Sequence, residues 1–403
     1  MSEWKYTTLA DVADVRVSNV DKKTHQDEYP VRLCNYMDVY GSIAVDSSQD
    51  LMAATASAAE IQRFKLYPGD VVITKDSETP DDIAIPAYMG PNLPSDVVCG
   101  YHLAILRPRS GVDGQFLSYL LRLPEVNRHF ACRASGSTRY GLSLKTIHSA
   151  PLHIPDSETE QKDIAALLAA VDAQLSRLGE VVGKTEIVRA ALIQDALSAV
   201  SSAPLEPLSK LATVGSGVTL GRKFAGPGTA DYPYLRVANV QDGHVDLTEV
   251  KTLRLPQSVA ARAMLQSGDV LMNEGGDFDK LGRGAVWRGQ IANCLHQNHV
   301  FRVRCNQDLL LPDFLALWAA SEFGKKFFML ASKQSTNLAS INSTQLKKFP
   351  VLRPSPDEQR DVLKTVEAVD NVLELDRAEL AGLRLLKQGL ARDLLTGKVR
   401  VPS

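Results

Sequence analysis

The chain is written twice. "YPGDVVI" (Tyr67 to Ile73) returns as "QSGDVLM" (Gln266 to Met272), and His102 before "LAILR" returns as His299 before "VFRVR". "FLSYLLRLPEVNRHF", from Phe116, returns as "FLALWAASEFGKKFF", from Phe314. "PLHIPDSETEQ", ending at Gln161, returns as "PVLRPSPDEQ", ending at Gln359. The offsets are 197 to 199 residues. That period far exceeds the roughly 20–50 residues of solenoid repeats, so each copy is a domain with an appendage. A length of 403 residues also asks for more than one hydrophobic core.

The appendage reads as a long helix. Ser157 with Glu160, and Ser355 with Glu358, form S-x-x-E capping boxes, the second with Pro356 at the favoured first position. Behind the first box runs an apolar stripe of Ile164, Leu168, Val171, Leu175, Leu178 and Val182, continuing to Leu192 and Ala196. Behind the second run Val362, Val366, Val369 and Leu373, then Leu380, Leu383, Leu390 and Leu394. Alternating steps of four and three make the seam of a coiled coil. Thr185, Arg189, Asp376 and Lys387 interrupt it, and Arg189 and Lys387 are repeat equivalents. The spacing predicts helices over 157–200 and 355–396, pairing antiparallel; the alternative is that each packs on its own domain. The expected division is 1–155, 156–203, 204–353 and 354–403: globular unit, helix, globular unit, helix.

The globular units read as mixed α and β. "YPVRLCNYM", "GDVVIT", "HLAILRPR", "YPYLRVANV", "GDVLMN" and "HVFRVRC" are strand-like. "GQFLSYLLRLPEVNRHFA" and "LPDFLALWAASEFGKKFFMLA" are amphipathic helices. The fold class is therefore mixed α/β, with a pseudo-two-fold internal repeat and two long helices.

Catalytic chemistry is sought and not found. "GEVVGKT" (Gly179 to Thr185) places its glycines one residue too close for a phosphate-binding loop and lies inside the coiled-coil stripe. "GSGV" (Gly215 to Val218) lacks the strand–helix context of a dinucleotide or methyl-donor loop. No N-P-P-[YF], D-P-P-[YF], G-x-S-x-G or H-E-x-x-H occurs. Cys294, His296 and His299 have a spacing that could hold zinc in part, without an evident fourth ligand. The five cysteines are dispersed, which suits a reducing cytoplasm. The N-terminus is not expected to be a signal peptide. The longest apolar run, Ile164 to Val171, is too short to span a membrane. A net charge of -2 confines any nucleic-acid surface to local patches.

Loops at equivalent places differ while the scaffold repeats. "TKDSETPDDIAIP" (Thr74 to Pro86) stands where "NEGGDFDKLGRG" (Asn273 to Gly284) stands. "ASGSTRYGLSL" (Ala134 to Leu144) stands where "ASKQSTNLASI" (Ala331 to Ile341) stands. One scaffold with two sets of polar loops is what a two-headed DNA reader would show. Asn, Gln and Arg pair with purine edges, and Ser, Thr and Lys reach phosphates. The candidates in the first copy are Lys75, Ser77, Ser137, Thr138, Arg139 and Tyr140. In the second they are Asn273, Glu274, Lys280, Arg283, Lys333, Gln334, Thr336 and Asn337, with an edge of His296, Gln297 and Asn298. The glycines of "NEGGDFDKLGRG" are expected to let backbone approach DNA. Asp277 and Asp279 are expected to brace the loop or to accept from cytosine.

With these features in hand, the chain resembles the specificity subunit of type I restriction–modification systems. "EQ" opening each helix, the ending "LKQGLARDLLTGKVRV", and "GDVLMNEGGDFDKLGRGAVW" followed by "CLHQNHVFRVR" carry the resemblance, which spans the whole sequence. It implies two target-recognition domains, each reading half of an asymmetric, interrupted site in double-stranded DNA. It implies no catalysis by this chain and no cofactor bound by it. The implied partners are two methyltransferase subunits and two restriction subunits, which would use S-adenosylmethionine, ATP and Mg. A coiled-coil scaffold binding protein alone is the other reading.

Overall fold

In the computed structural model the repeat becomes two units, Met1–Glu180 with Ala378–Ser403, and Val181–Arg377. The structure describes residues 3–221, 224–276, 281–282, 284–334 and 339–401. The unit boundary falls inside both long helices, so neither helix stands apart as a separate spacer body.

In the first unit the main sheet runs in the order Ala13–Val17, Leu103–Pro108, Val71–Thr74, Pro86–Met89, Ala44–Val45. Leu103 and Ile105 face one apolar cluster, and Ala104 and Leu106 face another. That alternation is the two-residue period of a strand with both faces covered. On one side lie Met52–Ala56, Tyr29–Cys34 and Val97–Cys99 as a second, three-stranded sheet. On the other lie the helices Gly114–Leu121 and Pro124–Ala131. The second unit repeats this plan. Its main sheet is Ala212–Ser216, Val300–Cys305, Val270–Asn273, Gly284–Val286, and its second sheet is Lys251–Pro256, Thr229–Leu235, Leu295–His296.

The repeated Gly-Asp sequence is a turn closed by ionic hydrogen bonds. Asp70 accepts from the Tyr67 amide at 2.9 Å and from both ends of the Arg107 fork at 2.8 Å. Asp269 accepts from the Gln266 amide at 2.7 Å and from Arg304 at 2.7 and 2.8 Å. Buried carboxylates paired in this bidentate way fix where each central strand begins.

Two expected helices are each broken in two. Pro124 opens Pro124–Ala131, because the residue before a proline leaves the helical region. Ser321 caps Glu322–Ala331 by accepting from the Gly324 amide at 3.3 Å. "YPVRLCNYM" also stops early as a strand: Asn35, capped reciprocally with Asp38, starts the short helix Tyr36–Tyr40.

The long helices are Glu158–Ala199, of 42 residues, and Pro356–Leu395, of 40 residues. Every seam position named above is buried or half-buried. In the first unit Ile164 and Leu168 join the domain core together with Leu394 and Leu395. In the second, Leu197 joins it together with Val362. The helices therefore both pack on the domains and pair with each other. Within the first unit Glu160 meets Arg400 and Asp172 meets Lys387; within the second Glu186 meets Arg377 and Arg189 meets Asp370. Rising numbers on one helix meet falling numbers on the other, which is antiparallel pairing. Gly179 to Thr185 lies within the first helix and forms no phosphate loop. Among the described residues no helix is long and apolar enough to cross a membrane.

Candidate nucleic-acid interface

The loops singled out separately in the sequence meet in the structure. In the first unit Asp76–Ser77 pairs antiparallel with Tyr140–Gly141. In the second, Gly275–Gly276 pairs with Ala339–Ser340, which also pairs with Lys333–Gln334. Each unit thus joins its two divergent loops into one polar patch.

A series of backbone hydrogen bonds ties that patch to the scaffold, and it is the same in both units. In the first, the Gly100 amide donates to the Cys34 carbonyl at 2.8 Å and Tyr101 to Val20 at 2.8 Å. Lys75 donates to His102 at 2.8 Å, and Leu142 to Lys75 at 3.0 Å. In the second, Gln297 donates to Leu235 at 2.9 Å and Asn298 to Val218 at 3.0 Å. Glu274 donates to His299 at 3.0 Å, and Ile341 to Glu274 at 2.8 Å. Five chain segments per unit are stitched in one order. Lys75 and Glu274 occupy the same rung.

Side chains on this frame sort by exposure. Ser137, Thr138 and Arg139 are exposed, and Tyr140 is half-buried. Lys75 is half-buried, with Nζ 3.8 Å from Oδ1 of Asp76. Glu274, Gln297 and Asn298 are half-buried and His299 is exposed. Three candidates point inward instead. Ser77 is buried. Asn273 is buried and its Nδ2 donates to the Val240 carbonyl at 3.0 Å. His296 is fully buried, with Nδ1 2.6 Å from the Val300 carbonyl. Burial holds its ring well below the usual histidine range, at about 4, so it is a neutral core group. These three point into the scaffold of the face, and of the expected edge only Gln297 and Asn298 remain partly exposed. Lys280, Arg283, Thr336 and Asn337, with Asp277 and Asp279, lie outside the described residues. Lys333 and Gln334 are placed only by their strand.

Two glycines of the second-unit loop, Gly275 and Gly282, serve packing. A side chain on Gly275 would lie 3.0 Å from the Ala339 carbonyl oxygen, so its absence admits the neighbouring strand. Gly282, at φ +66, packs flat on the Phe328 ring, where a Cβ would come within 2.1 Å of carbon.

The zinc spacing is spent on other contacts. Cys294 is buried, its thiol pushed up to about 12 by that burial. His296 bonds the Val300 carbonyl at the start of the next strand, and His299 turns to Glu274. Among the described residues no three His, Cys, Asp or Glu side chains gather as a metal site.

Sequence reading missed the segment Asn35–Tyr40 and its counterpart beginning at Arg236. Tyr36 lies against Ser77; burial raises its phenol, and the Ser77 hydroxyl pulls the other way. Met37 is exposed, and Tyr40 donates to Asp82 at 2.7 Å. The signal was present as the N-x-x-D capping pattern in "NYMD", which ends the strand and raises a helix at the rim.

Known proteins match this arrangement. The sequence fits the type I restriction modification DNA specificity domain over residues 1–180 and 211–384. It is 23% identical over 358 residues to the type I restriction enzyme EcoKI specificity subunit of Escherichia coli (strain K12), covering 83% of this chain and 76% of that protein. It is 22% identical over 319 residues to the StySPI specificity subunit of Salmonella potsdam, covering 75% of this chain and 68% of that one. The fold is similar to the S subunit of a type I restriction–modification system from M. genitalium, with a TM-score of 0.55 at 13% identity, over 98% of this chain and 96% of that chain. With both copies of its repeat matched, the chain belongs to the type I restriction–modification DNA specificity family.

Proposed function

We propose that this chain reads a bipartite, asymmetric site in double-stranded DNA for a type I restriction–modification complex, one half-site per unit. The observation that carries this is the duplicated hydrogen-bond frame supporting loops that differ between units. A shared frame gives both faces the same approach to the major groove, and different loops give them different bases to prefer. Ser137, Thr138, Arg139 and Tyr140 serve the first face; Glu274, Gln297 and Asn298 serve the second.

The chain is not itself an enzyme in this reading. It recruits two methyltransferase subunits and two restriction subunits in the cytoplasm, and S-adenosylmethionine, ATP and Mg are theirs. Apolar side chains left outside the seam support docking of partners on the long helices. In the second unit Ile187 is 72% exposed and Leu375 71%, and in the first Leu385 is 69% exposed. Isolated exposed leucines are ordinary, but repeated ones along a helix outside its own seam suit a helical partner.

Calorimetric titration of the purified chain with S-adenosylmethionine tests the division of labour. No heat of binding is expected, and methyl transfer to DNA should appear only when methyltransferase subunits are added. A micromolar isotherm with the chain alone would overturn this reading.

A further inference from the structure

The frame repeated in both units carries a repeated side-chain pair. His102 Nδ1 meets an Asp76 carboxylate oxygen, and His299 Nδ1 lies 2.6 Å from Glu274 Oε2. The carbonyl of each histidine accepts from an amide of the strand leading into the divergent loops, His102 from Lys75 and His299 from Glu274. Both side chains keep solvent exposure, His102 25% and His299 57%. The loops beside them differ in sequence, and the acid comes from neighbouring positions, Asp76 in one unit and the rung residue Glu274 in the other, but a carboxylate meets the histidine in both.

We propose that His102 and His299 are sequence-independent phosphate contacts, one in each unit, oriented by their carboxylates. The proposal rests on DNA being the ligand of these faces. Two heads that prefer different bases still meet the same phosphate backbone, so a group kept in both suits what the half-sites share. The carboxylate accepts a hydrogen bond from Nδ1–H and fixes the ring. Nε2 is then directed outward, and in the imidazolium it carries a proton that a phosphate oxygen accepts. In the neutral ring Nε2 presents a lone pair, which phosphate repels. The groups facing His102 are Asp76, the Tyr101 ring at 3.9 Å between centroids, and, across Asp76, Lys75. His299 faces Glu274.

The test uses the full chain assembled with its methyltransferase subunits. Two duplexes of equal length serve as probes, one carrying the site that the wild-type complex selects from a random library and one lacking it. His102→Gln and His299→Gln should each weaken binding to both duplexes by the same factor, roughly tenfold for a charge-assisted hydrogen bond. The slope of log affinity against log salt should become shallower by up to about one per histidine. His299→Arg should keep the affinity for both duplexes. Weakening on the selected duplex alone would make the histidines base readers and overturn the proposal. Unchanged affinity on both duplexes would leave them as braces and overturn it too. If the wild-type complex selects no duplex, the DNA reading itself falls.

Discussion

Arg189 on the first long helix pairs with Asp370 on the second, with Nη2 3.1 Å from Oδ2. Lys387 pairs likewise with Asp172. Arg189 and Lys387 are repeat equivalents, and so are Asp172 and Asp370. Each helix thus gives the base to one pair and the acid to the other, and the polar interruptions of the seam define its register. The Arg189–Asp370 pair is more than one-third exposed, so Arg189→Ala should cost only about 0.2–1 kcal/mol. Asp172 is mostly buried and also accepts the Tyr119 hydroxyl at 2.7 Å. Lys387→Ala leaves that carboxylate without its cation and should cost more, roughly 1–3 kcal/mol. Urea denaturation of the two variants gives the comparison; equal costs would contradict it.

Gln161 and Gln359 explain the repeated "EQ". Gln161 accepts from the Asp113 amide at 2.9 Å and donates to Gly111 at 3.1 Å and Pro155 at 2.9 Å. Gln359 accepts from Leu311 at 2.8 Å and donates to Leu309 and Pro354 at 2.9 Å. Both are fully buried. Each clamps the start of a long helix to the loop before the first domain helix. Gln359→Leu strands backbone groups without partners and should cost roughly 2–4 kcal/mol, as each unsatisfied group costs about 1–3 kcal/mol. Thermal melting checks this, and a change under about 0.5 kcal/mol, within the usual range for surface substitutions, would contradict it.

His296 makes the second unit sensitive to acid. Its folded value is about 4, below the ordinary value of 6.5, because burial disfavours the imidazolium. The unfolded chain therefore takes up a proton before the folded one does. The stability is fully present above about pH 6.5 and is lost as pH falls toward about 4, by roughly 3 kcal/mol. Hydrogen exchange of the second unit across this range should show the loss, and His296→Gln should reduce its pH dependence. An unchanged pH profile in that variant would contradict the assignment.

Much of this was legible because duplication makes each observation twice. The repeated "EQ" and the paired seam interruptions marked the helices, and apolar spacing alone placed Ile164, Leu168 and Leu394 inside. The meeting of the loops was not legible. The pairing of Ser77 with Tyr140 joins residues far apart in sequence, and only tertiary packing chooses that register. His296 misled because a polar residue in a strand says nothing about which face it occupies until the strand is placed. Its counterpart on the first-unit rung, Cys99, is also buried, so the shared property there is burial.

Helix length should govern the gap between the half-sites. A Cβ at Gly183, inside the first long helix, would meet nothing within 4 Å, so the position tolerates change. Inserting roughly four residues there adds about 6 Å at ~1.5 Å each. At ~3.4 Å per base pair the preferred spacer should grow by about one or two base pairs, with the half-sites unchanged. Methylation of libraries with graded spacers reads this out, and an active variant with its original spacer would show that the helices are not the ruler.

The central claim is that each unit reads its own half-site through its joined loops. Base-resolution methylation sequencing of a genome exposed to the assembled complex tests it most directly, comparing wild type with a Thr138→Ala, Arg139→Ala variant. The wild type should give an interrupted two-part motif. In the variant, bases in one part only should relax, at about 1–3 kcal/mol per lost base contact, while the other part and the spacer stay the same. A continuous motif, or simultaneous change in both parts, would contradict it.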